Sequence, residues 1–357
     1  MTNRERLKLA LFTQGIDITG EARAALAERW GREDLTTGDY ATTNGVILRF
    51  GGGDEEIWVN APIGDFNPNF VTAPDHYLAF EDGGFSVVSP LGTFAAEPVP
   101  VPAYQGMLNP WDEPYTRYVN THADRVRLSP IEGCAYTCTF CDVPYASRYR
   151  LSSIDRMMEA LAKAVDDPVM PPRHVLISGG TPKPQDYGYL NEVYAAVCST
   201  VPDKPVDVMM LPAPGLLDLG ALRKMGVHGL SINLEVFDDA VARKVAPRKH
   251  GLTKDLYLDF IEEAVEVFGT GRVRSLLLVG LEDVEATLDG VEALAARGCD
   301  PVLSPFRPDP ATPLRDRQPL GADALADIVE WARERIEPYN NVVLGPRCRA
   351  CGHNAVP

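Results

Sequence analysis

The chain has 357 residues, a formal charge of −16 and 45% hydrophobic residues, which suits one large domain or two ordinary ones. The negative charge argues against a nucleic-acid partner, because binding a phosphate backbone needs a clustered positive surface. No apolar run reaches the roughly 18 residues of a membrane span, and the first residues lack a signal-peptide core. Several of the seven cysteines are in metal-ligand spacing and none is obviously paired. The sequence therefore predicts a cytoplasmic protein without membrane partners.

Residues 1–122 predict a small β-rich accessory domain, because short apolar segments alternate there with glycine-rich turns. A proline-rich connector at 98–102 lies near the end of this region. The expected elements are a helix at 20–29, a hairpin of strands at 45–50 and 57–60, and further strands at 77–80 and 85–88.

From residue 123 onward, predicted strands alternate with amphipathic helices, which is the signature of a parallel sheet built from β-α-β units. Six such strands predict an α/β fold, a partial (β/α)6 barrel of the TIM type over residues 123–320. The strands are expected at 125–129, 174–178, 206–211, 229–234, 273–279 and 302–305, and the helices at 154–165, 189–199, 216–225, 254–268 and 285–297. Residues 321–357 predict a helix at 323–336, a strand-like segment at 341–344 and a short cysteine-bearing tail.

Three cysteines, Cys134, Cys138 and Cys141, follow the first barrel strand. Iron–sulfur cubes normally take four cysteine ligands, so three thiolates leave one iron open to a small molecule. A zinc knuckle would need a second ligand pair at suitable spacing, and a disulfide would leave one thiol over. The triplet therefore favours a [4Fe–4S] cluster with one open iron.

This cysteine spacing resembles that of the radical S-adenosylmethionine (SAM) superfamily, and some features resemble its biotin-synthase-like members. The resemblance implies that the open iron binds SAM and that the cluster cleaves SAM reductively to a 5'-deoxyadenosyl radical, which abstracts hydrogen from a substrate. It also implies a partial barrel and an electron donor such as flavodoxin or ferredoxin. The cysteine loop follows a parallel strand, so it falls at the working edge of such a barrel.

Two segments of the loop region are candidates for SAM binding. Gly179 and Gly180 follow the second strand, where glycines let the backbone approach a ligand closely. The resemblance assigns this segment to the SAM amino group, with Thr181 standing where glutamate is most common. It also places Phe140 near the cluster and the adenine of SAM, whereas ordinary loop packing is the alternative interpretation of this aromatic residue.

The fourth barrel strand ends in a polar row, because alternation sends Ser231, Asn233 and Glu235 to one face. The row resembles the strand that contacts SAM in related proteins, and a buried polar network is the alternative interpretation. Arg248 lies in a basic run at 243–250 and is a candidate for the methionine carboxylate of SAM.

Two basic features bear on the substrate. The run at 243–250 is interpreted either as a solvated helix end with its loop or as an anion-recognition site. Arg307 follows the sixth strand and is expected either to bind an acidic substrate group or to close the barrel in a salt bridge. A basic mouth in an acidic chain favours an anionic substrate.

The tail carries a second metal-like pair, Cys348 and Cys351, with His353 as a candidate third ligand. Cys198 and Cys299 are expected to be core residues. Three interpretations of the tail remain open, namely an auxiliary iron–sulfur cluster, a zinc site, and a metal-free tail that folds over the substrate mouth.

The sequence as a whole predicts a radical SAM enzyme that abstracts hydrogen from a small, anionic metabolite. Two alternatives are kept. One is transfer of the aminocarboxypropyl group of SAM at the same cluster, and the other is a non-catalytic metal-binding scaffold.

Overall fold

The structure is a computed structural model that describes residues 1–30, 45–249 and 251–357. Its first region is a six-stranded sheet in the order β1-β4-β5-β6-β2-β3, antiparallel except where β1 pairs with β4. The helix expected at 20–29, the first hairpin and the two strands that follow it are all present in this region. The elements are α1 (Asn3–Gln14), β1 (Asp17–Ile18), α2 (Gly20–Trp30), β2 (Gly45–Phe50), β3 (Ile57–Pro62), β4 (Tyr77–Glu81), β5 (Gly84–Ser89) and β6 (Gly92–Pro98).

The first helix was not expected from the sequence. It begins at a capping box, in which the Thr2 hydroxyl accepts the Glu5 N–H at 3.2 Å and the Glu5 carboxylate accepts the Thr2 N–H at 2.6 Å. Its residues from Leu7 to Thr13 are all buried. Such a helix lacks the polar stripe on which a prediction from periodicity depends.

The second region is a seven-stranded sheet in the order β15-β14-β13-β12-β11-β8-β7. All neighbours from β8 to β15 are parallel, and β7 pairs antiparallel with β8 at one edge. The elements are β7 (Val119–His122), β8 (Arg125–Leu128), β9 (Ile131–Glu132), α3 (Val143–Ala146), β10 (Arg150–Leu151), α4 (Ile154–Val165), β11 (His174–Ile177), α5 (Tyr187–Thr200), β12 (Val206–Met210), α6 (Leu219–Met225), β13 (Val227–Ile232), α7 (Asp239–Val245), α8 (Lys254–Phe268), β14 (Val273–Val279), α9 (Val284–Ala295), β15 (Asp300–Pro305) and α10 (Ala322–Ile336). Short 3-10 helices lie at Gly53–Glu55, Tyr115–Arg117, Pro184–Asp186 and Ala350–Asn354.

The six parallel strands are the six that the sequence predicts, and the curled parallel sheet forms a partial barrel with helices between successive strands. The loops after the strands meet at the carboxyl edge of the sheet, where parallel barrels place their working groups. A buried apolar cluster runs from Leu7 and Leu48 of the first region to Leu128 and Leu277 of the barrel. Because β7 pairs with β8, the barrel sheet begins before residue 123; the domain division at residues 122 and 320 stays a prediction.

The strand expected at 341–344 is wrong. This segment instead packs against the first residue of β15, where the Asp300 carboxylate accepts the Val343 N–H at 3.0 Å. The same carboxylate holds the Arg347 guanidinium at 2.7 and 3.1 Å. A buried side chain, rather than a strand ladder, therefore fixes the path of the chain here. Among the described helices, none has both the length and the apolar character needed to cross a membrane.

Candidate functional site

A cavity of about 320 Å³ lies against the barrel strands and the loops at their carboxyl edge. Ten of the eleven residues predicted for the cluster and SAM line it. They are Cys134, Cys138, Phe140, Cys141, Gly179, Gly180, Thr181, Ser231, Asn233 and Glu235. The remaining residue, Arg248, is exposed and donates to the carbonyl of Ala135 in the cysteine loop at 2.8 Å.

The cysteine loop is clamped at its base. The short strands β9 and β10 pair antiparallel on either side of it, and Arg150 of β10 donates to the Glu132 carboxylate of β9 at 2.6 Å. Farther out, the Cys134 sulfur accepts N–H groups from Tyr136 at 3.3 Å and Thr181 at 3.1 Å. These two N–H donors fix the position of the sulfur in the loop.

The cysteine loop and the glycine turn touch backbone to backbone. A Cβ atom added at Gly180 would lie 1.7 Å from the carbonyl oxygen of Gly133, so only glycine fits. The Ala135 N–H donates to the Thr181 carbonyl at 3.0 Å in the same contact. The turn therefore positions the cysteine loop in addition to lining the cavity.

The far end of the cysteine loop reaches across the mouth of the barrel. The Thr139 N–H and hydroxyl both donate to the Val245 carbonyl, at 2.8 and 3.1 Å. Cys138 and Phe140 pack there against a small apolar cluster that includes Val236 and Phe306. Phe140 thus combines both interpretations of the sequence, because it packs in the loop and also lines the cavity.

The three cysteines fit a metal cluster. Burial raises the pKa of the Cys138 thiol to about 12, with a smaller contribution from the Glu235 carboxylate. Burial likewise holds the pKa of Cys141 far above its usual range. A metal would displace these protons, and thiolates that are costly to bury alone are stabilised by the cation they bind.

The polar row lies at the end of β13, and its three residues, Ser231, Asn233 and Glu235, all line the cavity. The Ser231 hydroxyl donates to the Asn233 amide oxygen at 2.9 Å. Glu235 follows the end of the strand and has φ of +70°, which is uncommon for a residue other than glycine. The alternation of side chains therefore continues past Ile232, the last residue of β13, to Asn233 and Glu235.

Lys249 is a cavity residue that sequence reasoning missed. Its ammonium lies 2.8 Å from the Glu235 carboxylate and donates to the Asn233 carbonyl at 2.6 Å, and its side chain is 7% exposed. The basic run at 243–250 contained the signal, but the prediction chose its neighbour Arg248. His250, the last residue of that run, lies outside the described residues.

The lining of the cavity has more cationic than anionic side chains, although the chain as a whole is acidic and the lining residue Arg274 pairs with Asp207 at 2.8 Å. Among the described lining residues, Glu235 is the single carboxylate. The cations are Arg125, Arg127, Lys249, Arg274 and Arg307. Arg307 donates to the Asn60 carbonyl at 3.1 Å and to the Asn354 amide oxygen at 2.9 Å, so it links the barrel to the N-terminal sheet and to the tail.

The cysteine pair of the tail lies at the opposite, amino edge of the barrel strands, and the last residues of the tail run along β15, where the Val356 N–H donates to the Leu303 carbonyl at 2.9 Å. Cys348 and Cys351 meet Asp124, just before β8, and His174, the first residue of β11, with all four ligand atoms within 4.8 Å of one another. Pro346, Cys351, Asn354 and Ala355 of the tail line the cavity, so the three interpretations of the tail stay predictions. His353, expected as the third ligand, is not in this group; its Nδ1 atom lies 2.7 Å from the Ala350 carbonyl.

Neither Asp124 nor His174 was predicted, because no local pattern marks them. They come together only because β8 and β11 pair in parallel, with His174 opposite Arg125. A hydrogen bond with the Cys351 thiol lowers the pKa of the Cys348 thiol to about 5, and His174 contributes to the same shift although burial opposes it. The pKa of Cys351 is correspondingly raised.

The family model of the radical SAM superfamily matches residues 128–303, which run from the end of β8 into β15. The chain belongs to the radical SAM superfamily. The family implies a [4Fe–4S] cluster and SAM as cofactors.

One curated relative is the bacteriochlorophyllide c C-7(1)-hydroxylase of Chlorobaculum limnaeum, which is 26% identical to this chain over 134 residues. The match covers 37% of this chain and 33% of the relative, so the chain spans about a third of the length of that protein.

Three solved structures resemble this chain in fold. HydG, a maturase of the [FeFe]-hydrogenase, has a TM-score of 0.47 and 17% identity, covering 61% of this chain and 50% of its own. HydG from Carboxydothermus hydrogenoformans has a TM-score of 0.49 and 20% identity, covering 65% and 57%. A radical SAM methyltransferase from Sphaerobacter thermophilus has a TM-score of 0.49 and 15% identity, covering 78% of each chain.

Proposed function

We propose that this enzyme cleaves SAM reductively and uses the resulting 5'-deoxyadenosyl radical to abstract hydrogen from a small, anionic metabolite. One observation carries the proposal. The three loop cysteines, the glycine turn and the polar row after β13 line the same cavity. A cofactor bound by all three elements would therefore face whatever substrate enters that cavity.

Cys134, Cys138 and Cys141 would hold the cluster. When bound, it supplies the electron that breaks a carbon–sulfur bond of SAM. The protein keeps the loop in place for this chemistry through the Thr181 N–H on the Cys134 sulfur and the Thr139 contacts with Val245. Cys138 and Phe140 pack against the apolar cluster that includes Val236 and Phe306, which anchors that side of the loop.

The polar row would bind SAM. Hydroxyl, amide and carboxylate groups at Ser231, Asn233 and Glu235 suit the ribose hydroxyls and the amino group of the methionine part. Lys249 holds the Glu235 carboxylate at 2.8 Å, and so fixes its direction. Lys249, unlike Arg248, also presents a cation to the cavity, so we favour it as the closer partner for the methionine carboxylate.

An anionic substrate is favoured by the charge of the cavity. Its described lining has five cationic side chains against one carboxylate, in a chain of net charge −16. Two of the cations, Arg125 and Arg274, lie near the amino ends of β8 and β14, away from the cysteine loop. A carboxylate or phosphate group of the substrate would be held at that end by charge-assisted hydrogen bonds.

The reductant would be a small electron-transfer protein such as flavodoxin or ferredoxin. The seven cysteines are all unpaired, which suits the reducing cytoplasm that we propose as the location of the enzyme.

Product analysis tests the proposal. Anaerobically reconstituted enzyme should convert SAM to 5'-deoxyadenosine and methionine when reduced. Replacing Cys134, Cys138 or Cys141 by alanine should abolish this, whereas Cys198→Ala, at a core cysteine away from the cavity, should leave it intact. 5'-Methylthioadenosine as the product would indicate aminocarboxypropyl transfer instead, and an intact cluster without SAM turnover would indicate a scaffold.

Two further measurements refine the result. Glu235→Gln should weaken SAM binding while the absorption of the cluster stays unchanged. With deuterated cell extract separated by anion exchange, deuterium should enter 5'-deoxyadenosine from the fractions that bind the resin. Transfer only from the unbound fractions would contradict an anionic substrate.

A further inference from the structure

We propose that Asp124, His174, Cys348 and Cys351 form a structural zinc site that fastens the C-terminal tail to the amino edge of the barrel. The site is at the opposite strand ends from the cysteine loop. The inference is independent of the radical chemistry proposed above.

Four distances between the ligand atoms lie within a few tenths of an ångström of the edges of a zinc tetrahedron. Zinc bonds of about 2.0–2.3 Å give edges of about 3.3–3.8 Å between ligand atoms. The Asp124 Oδ1 atom lies 3.4 Å from the Cys348 sulfur, 3.9 Å from the Cys351 sulfur and 3.7 Å from His174 Nε2. The His174 Nε2 atom lies 3.0 Å from the Cys351 sulfur. Small shifts would bring all four atoms to one ion.

The donor set favours zinc over an iron–sulfur cluster. Two thiols, one imidazole and one carboxylate converge on a single point, as one tetrahedral ion requires. A [4Fe–4S] cube would need further thiols, and a [2Fe–2S] centre would divide the four ligands into two pairs on separate irons instead of gathering them within 4.8 Å. Cys198 and Cys299, the other cysteines outside the loop, are buried in the core and are not in this group. Four protein ligands leave no open position, which is typical of structural zinc.

The surroundings orient the ligands as zinc sites do. The Arg173 guanidinium donates to the Asp124 Oδ2 atom at 2.6 Å, which leaves Oδ1 directed to the cysteines and His174. The Cys351 N–H donates to the Cys348 sulfur at 3.4 Å. Such contacts fix the direction of the ligands, and their loss typically weakens metal binding about 10–100-fold.

The site closes the base of the cavity. Asp124 and His174 precede adjacent strands, and Cys351 itself lines the cavity. One ion would therefore join β8, β11 and the tail. Loss of the ion should free the tail and loosen that end of the cavity, in line with the coupling of metal binding to folding.

Metal analysis of the full chain tests this inference. In the variant with Cys134, Cys138 and Cys141 all replaced by alanine, which cannot hold the radical cluster, we expect about one zinc per chain. Adding Cys348→Ala and Cys351→Ala should remove it. His174→Ala should also lose zinc. His228→Ala should retain it, because His228 lies in β13 and pairs with Asp207 of β12, outside the site. Arg173→Ala should bind zinc about 10–100-fold more weakly.

A second measurement covers variants that fail to fold. Removal of zinc from the unmutated protein by a chelator should lower its thermal midpoint and speed hydrogen exchange in residues 346–357, and zinc should restore both. The inference is overturned by zinc content that is unaffected by loss of Cys348 and Cys351. It is also overturned by iron and sulfide that persist in the triplet variant, or by no change on chelation.

Discussion

The absence of a Cβ atom at Gly180 is what allows the glycine turn to pack against the cysteine loop. The 1.7 Å separation between its absent Cβ and the Gly133 oxygen means that any side chain would push the glycine turn away from the cysteine loop. The Thr181 N–H, which bonds the Cys134 sulfur at 3.1 Å, would move with it. Gly180 therefore couples the glycine turn, which lines the cavity, to Cys134, the first of the three loop cysteines.

We expect Gly180→Ala to lower cluster occupancy and to destabilise the fold by about 1–3 kcal/mol or more, because backbone atoms cannot yield as a flexible side chain can. Iron and sulfide analysis after anaerobic reconstitution, with urea unfolding, measures both effects. Gly188→Ala is the matched control, since a Cβ there meets nothing within 4 Å and lies in α5. Equal cluster content in the two variants would refute the expectation.

At the same scale, the sequence could predict residues whose direction follows from a period, and it failed where no period exists. Ser231, Asn233 and Glu235 were found because side chains alternate along a strand. Lys249 was passed over for Arg248 because the two lie in an irregular turn after α7, where nothing in the sequence tells which of two neighbouring cations faces inward. Only packing decides that.

At the scale of elements, amphipathic patterns located most of the barrel. Helices α4 and α8 have the predicted bounds, and the first residue of each parallel strand is within two residues of the predicted one. The pattern failed for α1, which is buried on all sides, and for 341–344, which the Asp300 side chain holds. Asp124 and His174 were invisible for a related reason, since strand pairing alone makes them neighbours.

Helix α1 reaches the tail through Lys8, which is 4% exposed and donates to the Gly352 carbonyl at 2.8 Å. Burial lowers the pKa of this amine from 10.5 to about 7. The unfolded chain thus holds the proton over a pH range in which the folded chain has released it. Below about pH 7 the folded chain must bury a charge, and this penalty disappears as pH rises toward 10.5.

Lys8→Met should therefore be more stable than the parent at pH 6–7, and its advantage should shrink as pH rises toward 10. Urea unfolding at several pH values measures this difference. Lys224→Met, at an exposed lysine of α6, is the control and should show no such trend. An advantage that grows with pH would contradict the assignment. The Gly352 carbonyl also accepts the Ala355 N–H at 3.0 Å, so the substitution leaves it paired.

For the whole molecule, the decisive feature is the single large core that continues from the N-terminal sheet into the barrel. We expect one cooperative unfolding transition, because neither region can expose its share of that core without the other. Two variants that each keep a single tryptophan, either Trp58 of β3 or Trp331 of α10, would report the unfolding of the two regions separately. Coincident midpoints are expected, and an earlier midpoint at Trp58 would show that the N-terminal sheet unfolds independently.

The positive lining inside an acidic protein has a consequence for the rate at which ligands arrive. An anion far from the surface experiences the net charge of −16 and is repelled. The five cations of the lining attract it only once it has come close to the cavity. Dissolved salt shortens the reach of the outer repulsion, with a screening length of about 8 Å at physiological ionic strength. Moderate salt should thus hasten capture of the anion, the reverse of the slowing usual for steered encounters.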